Sequence, residues 1–257
     1  LCVCVCVCVC ACHSSEQSFN RESCSSEQVS SVATLLRLAS IGPTTTRFLQ
    51  ISTQSARAHP RAAGSGYAQS KWVAERMVEH AIKRGLDGAV LQLGFVGPDR
   101  RTGAANVRDR VMRFVSGAVQ LGMHHFVAGA SLLLFPVEDC AAAIAQLSAA
   151  QSGDGTEAAA ALKPVKVAIA DLMQRVCGSP ILCGRRITEV PHAAWQDALR
   201  QLSEENPMFP LRSQYMDGMT AHRLAREEEL CQCGYNQEEV DRFLAFLQAS
   251  GQLGAVA

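Results

Sequence analysis

The stretch that decides the fold is GYAQSKWVAERMVEHAIKR, residues 66–84, which follows a loop rich in glycine, proline and serine. Its composition and the turn residues before it predict a long helix. Within this helix, Tyr67 and Lys71 stand at positions i and i+4. That spacing places both side chains on one helical face, with Cβ atoms about 5–6 Å apart.

A tyrosine beside a lysine on one helical face can transfer a proton. A free phenol titrates near ~10, and a neighbouring ammonium favours the phenolate, so Tyr67 is a candidate acid or base. A hydroxyl at the end of a neighbouring strand would hold a substrate carbonyl oxygen beside the phenol, and Ser52 and Thr53 end such a strand. The same spacing also occurs in ordinary amphipathic helices, in which the lysine is solvated and the tyrosine is half-buried.

Strands and helices alternate on both sides of this helix. The predicted strands cover residues 47–52, 89–93 and 132–135, and the predicted helices cover residues 29–39, 66–84, 106–121 and 137–149. Short, continuously apolar strands joined by helices are typical of a parallel sheet covered on both faces. The predicted fold class is therefore α/β, a doubly wound parallel sheet followed by a small, mainly helical C-terminal cap.

The composition divides the 257 residues into three regions. In residues 1–28, an alternating Cys–Val ladder, which a TG dinucleotide repeat encodes, precedes a polar, serine-rich segment; we interpret the ladder as a gene-model artefact and expect the segment to be disordered. Residues 29–150 hold the strand–helix alternation. Residues 151–257 begin with a linker and continue as the cap, with helices predicted near residues 167–176, 193–203, 218–230 and 237–250 and a strand near residues 186–190.

Composition and charge exclude several classes of protein. Lysine plus arginine equals aspartate plus glutamate at 24 each, and the sequence pI is near 7.1, so a nucleic-acid-binding surface is not expected. No apolar run approaches the ~18 residues of a membrane span. Of the 12 cysteines, five lie scattered beyond residue 24, which fits ordinary thiols in a reducing cytoplasm.

Four blocks of sequence resemble the extended short-chain dehydrogenase/reductases, and among them the thioester reductase domains. Those domains terminate nonribosomal peptide and polyketide synthetases and carboxylic acid reductases. The blocks are GYAQSKWVAERMV from residue 66, AVLQLGFVGPDRRTGAAN from residue 89, LFPVEDCAAAIAQLS from residue 134 and RRITEVPHAAWQDALRQLSEENPMFPL from residue 185. The resemblance covers about residues 27–248.

The resemblance implies a partial Rossmann-like sheet with an NADPH site, and reductive release of an acyl thioester from the phosphopantetheine arm of a carrier protein, giving an aldehyde or an alcohol. Thr53, or Ser52 in its place, would orient the carbonyl. Tyr67 would protonate the carbonyl oxygen, and Lys71 would hold the nicotinamide ribose and tune Tyr67. The other cofactor-binding residues would be Ser52, Gly94, Phe95 and Val96.

The sequence departs from the family pattern in three places. Family members open with a strand and a G-x-x-G-x-x-G turn whose amides bind the pyrophosphate, and nothing before Tyr67 supplies this turn. We therefore expect a fragment that lacks the first βαβ units and binds NADPH weakly. Gln92-Leu93-Gly94 stands where the family has Arg-Pro-Gly, and an alanine run at residues 158–161 stands where a strand is expected.

Two other functions remain open. Another extended short-chain reductase, such as a fatty-acyl-CoA reductase or a nucleotide-sugar epimerase, would share the triad and differ in its cap. A non-catalytic remnant would instead bind a partner, for which an exposed strand edge is suited. The sequence leaves open whether the chain is active, which acyl group and carrier protein it uses, how far reduction proceeds and its oligomeric state.

Other paired residues have simpler explanations than a further site. His124 and His125 lack an acidic or thiol partner at ligand spacing, and Cys231-x-Cys233 has no second cysteine pair, so no metal site is predicted. Arg100-Arg101 lie in a loop beyond a strand end. A phosphate or carrier-protein contact and a plain solvated turn are both open there.

Overall fold

The computed structural model describes residues 21–41, 47–57, 66–125, 131–149, 162, 164–205 and 234–254. These residues form seven α-helices and seven β-strands. The helices are α1 Arg21–Ile41, α2 Gly66–Lys83, α3 Arg110–Leu121, α4 Val137–Ala149, α5 Ile169–Cys177, α6 His192–Glu205 and α7 Gln237–Ala249. The strands are β1 Phe48–Thr53, β2 Gly88–Leu93, β3 Phe95–Gly97, β4 Met123–His125, β5 Ser131–Pro136, β6 Val165–Ala168 and β7 Thr188–Val190.

The chain divides into two compact units. The first combines Leu1–Gly94 with Asp139–Leu162, and the second combines Phe95–Glu138 with Lys163–Ala257. Each unit has its own cluster of buried apolar side chains.

The first unit is built around the segment β1–α2–β2. The two strands pair in parallel, from Phe48 opposite Gly88 to Thr53 opposite Leu93, and α2 is the crossover that a parallel pair needs. The apolar face of α2 packs against α1 and one face of the strand pair, in a cluster of Val32, Ala74 and Val78 with Leu36, Phe48, Ile82 and Val90. Phe48 and Val90 therefore mark the face of the strands that α2 covers.

The second unit has a larger apolar core, with α3 at its centre. β3 pairs in parallel with β5, β5 pairs antiparallel with β6, and β4 pairs in parallel with β7. Asp109 caps the start of α3, because its side chain accepts a hydrogen bond from the Val111 amide. Gly122 ends the helix with φ of 63°, a left-handed conformation that favours glycine.

The predicted α/β class is confirmed, since parallel strand pairs alternate with helices along the chain. α2 and α4 occupy the predicted residues to within one position. Three strands were not predicted. Residues 95–105 were expected to be a loop throughout and include β3, and β4 and β6 also escaped prediction because three or four residues are too few to establish a period of two.

α1 begins at Arg21, whereas the sequence predicts a helix from Val29 and disorder before it. In the structure, residues 21–28 form the first part of this helix, and the disorder expected of the serine-rich segment stays a prediction. Once the later turns of α1 pack against α2, adding further turns costs little, because helix propagation is far easier than nucleation. Residues 1–20 lie outside the described residues.

β6 lies beyond residue 150 and pairs with β5, and both strands belong to the second unit. The predicted domain boundary at residue 150 stays a prediction. The assignment of residues 151–257 to a substrate cap remains a prediction. The alanine run at residues 158–161 and the helix predicted near residues 218–230 lie outside the described residues. Of the other predicted helices in this region, α5, α6 and α7 are present.

Candidate active site

The end of β1 carries the two hydroxyls expected at the site. Side chains alternate along a strand, so Ser52 lies on the same face as Phe48, the face that α2 covers, whereas Thr53 follows on the opposite face. Ser52 is only 5% exposed, and its Oγ has no hydrogen-bond partner in the described part of the chain. A buried hydroxyl without a partner is costly and therefore suits a site that receives a ligand.

The first half of α2 carries the tyrosine and the lysine. Lys71 is 8% exposed, and its Nζ donates a hydrogen bond to the carbonyl oxygen of Ile51 at 3.4 Å. The ammonium therefore lies beside the last residues of β1. Tyr67 is in the first turn of α2, one turn before Lys71, and the structure describes its backbone but not its side chain.

A buried carboxylate lies one turn beyond Lys71, and sequence reasoning missed it. Glu75 is fully buried, and Nε2 of Gln92 donates to Oε1 and Oε2 of Glu75, each at 2.9 Å. The guanidinium of Arg76, a partly exposed side chain, approaches Oε2 at 3.7 Å. The sequence held one signal, because Glu75 extends the i, i+4 series of Tyr67 and Lys71 by four residues and so lies on the same helical face.

The other predicted cofactor residues follow β2. Gly94 comes directly after β2, at the end of the first unit. Phe95 and Val96 lie in β3 of the second unit, where they pair with Leu134 and Phe135 of β5. Their assignment to the cofactor remains a prediction.

The loop after β3 is anchored to the C-terminal segment of the second unit. The Oη of Tyr235 donates to the carbonyl oxygen of Pro98 at 2.9 Å, and Nε of Arg242 donates to the carbonyl oxygen of Arg100 at 2.9 Å. Gly97 is required here, since a Cβ would lie 2.3 Å from the Tyr235 Oη. The Arg100 guanidinium lies over the Tyr235 ring, 5.8 Å from its centroid, so this arginine is engaged by the protein itself.

The exposed tip of this loop is a hydrogen-bonded turn. Oδ1 of Asp99 accepts hydrogen bonds from the Thr102 hydroxyl at 2.8 Å and the Thr102 amide at 2.6 Å. These bonds to the charged form lower the pKa of the Asp99 carboxyl. Arg101 is exposed within the turn. A contact of the Arg100-Arg101 pair with a phosphate or a carrier protein stays a prediction.

The histidine and cysteine pairs considered as metal ligands can be located in the structure. The described residues contain no group of three or more His, Cys, Asp and Glu side chains placed to bind a metal ion. His125 packs in the second core, edge-on to Phe114 and to His192. Cys231 and Cys233 lie outside the described residues.

No helix in the described part of the chain is long and apolar enough to cross a membrane.

Solved reductase domains share this fold. The terminal R domain from the myxalamid PKS-NRPS biosynthetic pathway superposes with a TM-score of 0.64 and 23% identity, over 88% of this chain and 64% of that domain. The reductase domain of a nonribosomal peptide synthetase from Mycobacterium tuberculosis superposes with a TM-score of 0.59 and 19% identity, over 88% and 65%. These likenesses confirm the predicted Rossmann-like fold.

Sequence comparisons add evidence of kinship. Residues 51–144 match a family model for an NAD-binding domain described as male sterility protein. The L-2-aminoadipate reductase large subunit of Eremothecium gossypii is 34% identical over 160 residues, and a linear gramicidin synthase protein of Brevibacillus parabrevis is 28% identical over 202 residues. The resemblance to thioester reductase domains is confirmed. The family match begins at residue 51, near the end of β1, and continues through α2 and β2, so it covers the candidate active site.

The matched segment is short beside these relatives. It covers 60% of this chain and 11% of the length of the Eremothecium protein, and 74% of this chain and 4% of the length of the Brevibacillus protein.

Proposed function

We propose that this chain reduces a carrier-protein-bound acyl thioester with a nicotinamide cofactor, NADPH, and that the face of α2 turned to β1 carries the chemistry. The observation behind the proposal is the burial of Lys71 beside the end of β1, with its Nζ on the carbonyl oxygen of Ile51 and a buried hydroxyl without a partner at Ser52. A desolvated ammonium and a free hydroxyl at one strand end are costly for stability. They are useful if a polar ligand completes them.

The residues at the end of β1 fit the ribose and nicotinamide end of such a cofactor. A ribose presents hydroxyls that both accept and donate, so Lys71 can donate to them and Ser52 can pair with them. The match of residues 51–144 to an NAD-binding family supports a nicotinamide cofactor. The choice of NADPH over NADH rests on the resemblance to thioester reductases.

The reaction needs a hydride at the carbonyl carbon and a proton at the carbonyl oxygen. The reduced nicotinamide would supply the hydride. Tyr67 would give the proton to the carbonyl oxygen, and Thr53 or Ser52 would hold that oxygen by a hydrogen bond. The carbon–sulfur bond then breaks, the thiol of the carrier arm leaves, and an aldehyde is released. A second hydride and proton would convert the aldehyde to an alcohol.

The carrier protein is proposed as the partner because structures and sequences similar to this chain belong to nonribosomal peptide synthetases. A thiolation-reductase di-domain from an archaeal nonribosomal peptide synthetase superposes on this chain with a TM-score of 0.60 and 15% identity. Relatives matched by sequence include further nonribosomal peptide synthetases. A thioester on a carrier arm is therefore the substrate class that we propose.

The two hydroxyls at the end of β1 give the sharpest test of the proposed site. With acyl-loaded carrier protein and NADPH, removal of the hydroxyl that holds the carbonyl oxygen should lower kcat by about 10²-fold, and removal of the other should change it little. We would compare Ser52→Ala and Thr53→Val in the same assay, with the exposed Thr34→Val of α1 as control. Equal turnover in all three variants would contradict a site at this strand end.

The substrate class is tested with the parent protein. We expect faster oxidation of NADPH with an acyl group on a carrier protein than with the same acyl group on free coenzyme A. Equal or greater turnover of free acyl-CoA would favour an acyl-CoA reductase. Absence of turnover with both would contradict reduction of thioesters by this chain.

A further inference from the structure

We propose that the buried pair Glu75–Gln92 positions the half of α2 that carries Tyr67 and Lys71. The effect of this pair on catalysis rests on the proposed function. The positioning of α2 rests on the described contacts. Both oxygens of Glu75 accept hydrogen bonds from the single Nε2 of Gln92 at 2.9 Å. The pair joins the middle of α2 to the penultimate residue of β2.

Helical spacing along α2 and the register of β1 and β2 place the Glu75–Gln92 pair next to the candidate active site. Tyr67, Lys71 and Glu75 follow one another at intervals of four residues and so form one stripe along α2. Gln92 stands opposite Ser52 in the parallel register of β1 and β2. Ser52 and Gln92 therefore face α2 side by side, at the strand ends that receive Lys71.

The apolar contacts of α2 constrain its position less than hydrogen bonds do. Further along α2, Val78 and Ile82 pack with Phe48 and Val90, and apolar contacts of this kind are not directional. Hydrogen bonds are directional, and those from Lys71 to the carbonyl oxygen of Ile51 and from Gln92 to Glu75 join the middle of α2 to the strands. Together they fix both the rotation of α2 and its height above the strands.

Stability alone is a weak reason for this pair. Glu75 is completely buried, the amide of Gln92 that hydrogen-bonds both of its oxygens is neutral, and the Arg76 guanidinium approaches only to 3.7 Å from a partly exposed position. A buried carboxylate in this setting costs free energy that a well-packed apolar pair would not. A positioning role accounts for a contact that is expensive, directional and one turn from Lys71.

Three variants of the full chain test the pair. Gln92→Leu removes both hydrogen bonds to Glu75 and leaves its carboxylate with the Arg76 guanidinium at 3.7 Å, whereas Glu75→Gln removes the charge. The double variant Glu75→Gln/Gln92→Glu exchanges donor and acceptor, so Nε2 of the new amide can donate to the new carboxylate. Val78→Ala is the matched control, because it loosens α2 through its apolar half alone.

Hydrogen exchange gives a readout that does not require activity. We expect Gln92→Leu to speed amide exchange of residues 68–75 by about tenfold or more, with residues 76–83 little changed, and Val78→Ala to show the reverse pattern. The double variant should return residues 68–75 to within about threefold of the parent. Unchanged exchange in Gln92→Leu, or the same pattern in Gln92→Leu and Val78→Ala, would overturn the positioning role.

Kinetics give the second readout. At equal folded fraction, we expect Gln92→Leu to lower kcat by about 10–100-fold, Val78→Ala to lower it by less than about threefold, and the double variant to recover most of the loss. Unchanged kcat in Gln92→Leu beside an active parent would overturn the inference. An inactive parent would contradict the proposed function instead, and the exchange pattern would then decide the positioning role by itself.

Discussion

α2 and α3 are both amphipathic helices, but they bury different kinds of side chain. The buried residues of α3 are mainly apolar: Val111, Met112, Phe114, Val115, Ala118 and Val119, with Arg113 and Ser116. α2 buries Ser70, Lys71 and Glu75 among Ala68, Ala74 and Val78. α3 is also capped at both ends, by Asp109 and by Gly122.

The difference separates a helix built for stability from one that carries a site. Apolar burial in α3 contributes directly to the free energy of unfolding, whereas a buried lysine and a buried glutamate in α2 cost free energy unless they are partnered. Lys71 and Glu75 of α2 both form hydrogen bonds to residues of β1 and β2. Substitutions in α3 should therefore act on stability, and substitutions of the polar stripe of α2 should act on activity.

The largest effect on stability is expected in α3. Phe114 is fully buried and lies edge-on to Trp195. Phe114→Ala should lower the free energy of unfolding by about 3–5 kcal/mol, because it removes this contact and leaves a cavity. Urea unfolding measures the change. A loss below about 1 kcal/mol would show that α3 is not the centre of the second core.

Lys71→Met tests the buried polar side chains of α2. It keeps much of the apolar stem and removes the ammonium, so the free energy of unfolding should stay the same or rise, while turnover should fall by about 10²-fold and NADPH should bind more weakly. Lys83→Met at the exposed end of α2 is the control and should leave both unchanged. Unaltered cofactor affinity in Lys71→Met would remove the proposed contact with the ribose.

The smallest effect is expected at the start of α3. Asp109→Ala removes the acceptor for the Val111 amide, which lies 2.9 Å away, and should lower the free energy of unfolding by about 1 kcal/mol. Asp109→Asn keeps an acceptor at the same place and should recover most of that loss. Thermal unfolding compares the two. Equal stability of Asp109→Ala and the parent would show that the cap contributes nothing.

How much could be predicted from the sequence differs between local and long-range features. The residues of α2 and the joint position of Tyr67 and Lys71 follow from local composition and helical spacing. The face on which Ser52 lies required the packing of Phe48, and the pairing of Gln92 with Glu75 required the β1–β2 register. Such contacts join residues 17 positions apart, and no local pattern encodes them.

Strand β6 illustrates the same limit within the fold. Its four residues run directly into α5, so helical periodicity dominated the prediction for residues 167–176. Its pairing with β5 is antiparallel, an arrangement that strand–helix alternation did not predict. The sheet neighbour of a short strand depends on tertiary packing, which outweighs local preference.

Turnover by Tyr67→Phe is the most direct test of whether the polar face of α2 carries the chemistry. We would measure NADPH oxidation with acyl-loaded carrier protein and cofactor affinity by fluorescence titration, with Tyr235→Phe as a second hydroxyl deletion that should affect stability only. We expect a loss of about 10²–10⁴-fold in kcat for Tyr67→Phe with nearly unchanged affinity for NADPH. Turnover of Tyr67→Phe within about tenfold of the parent would contradict the account.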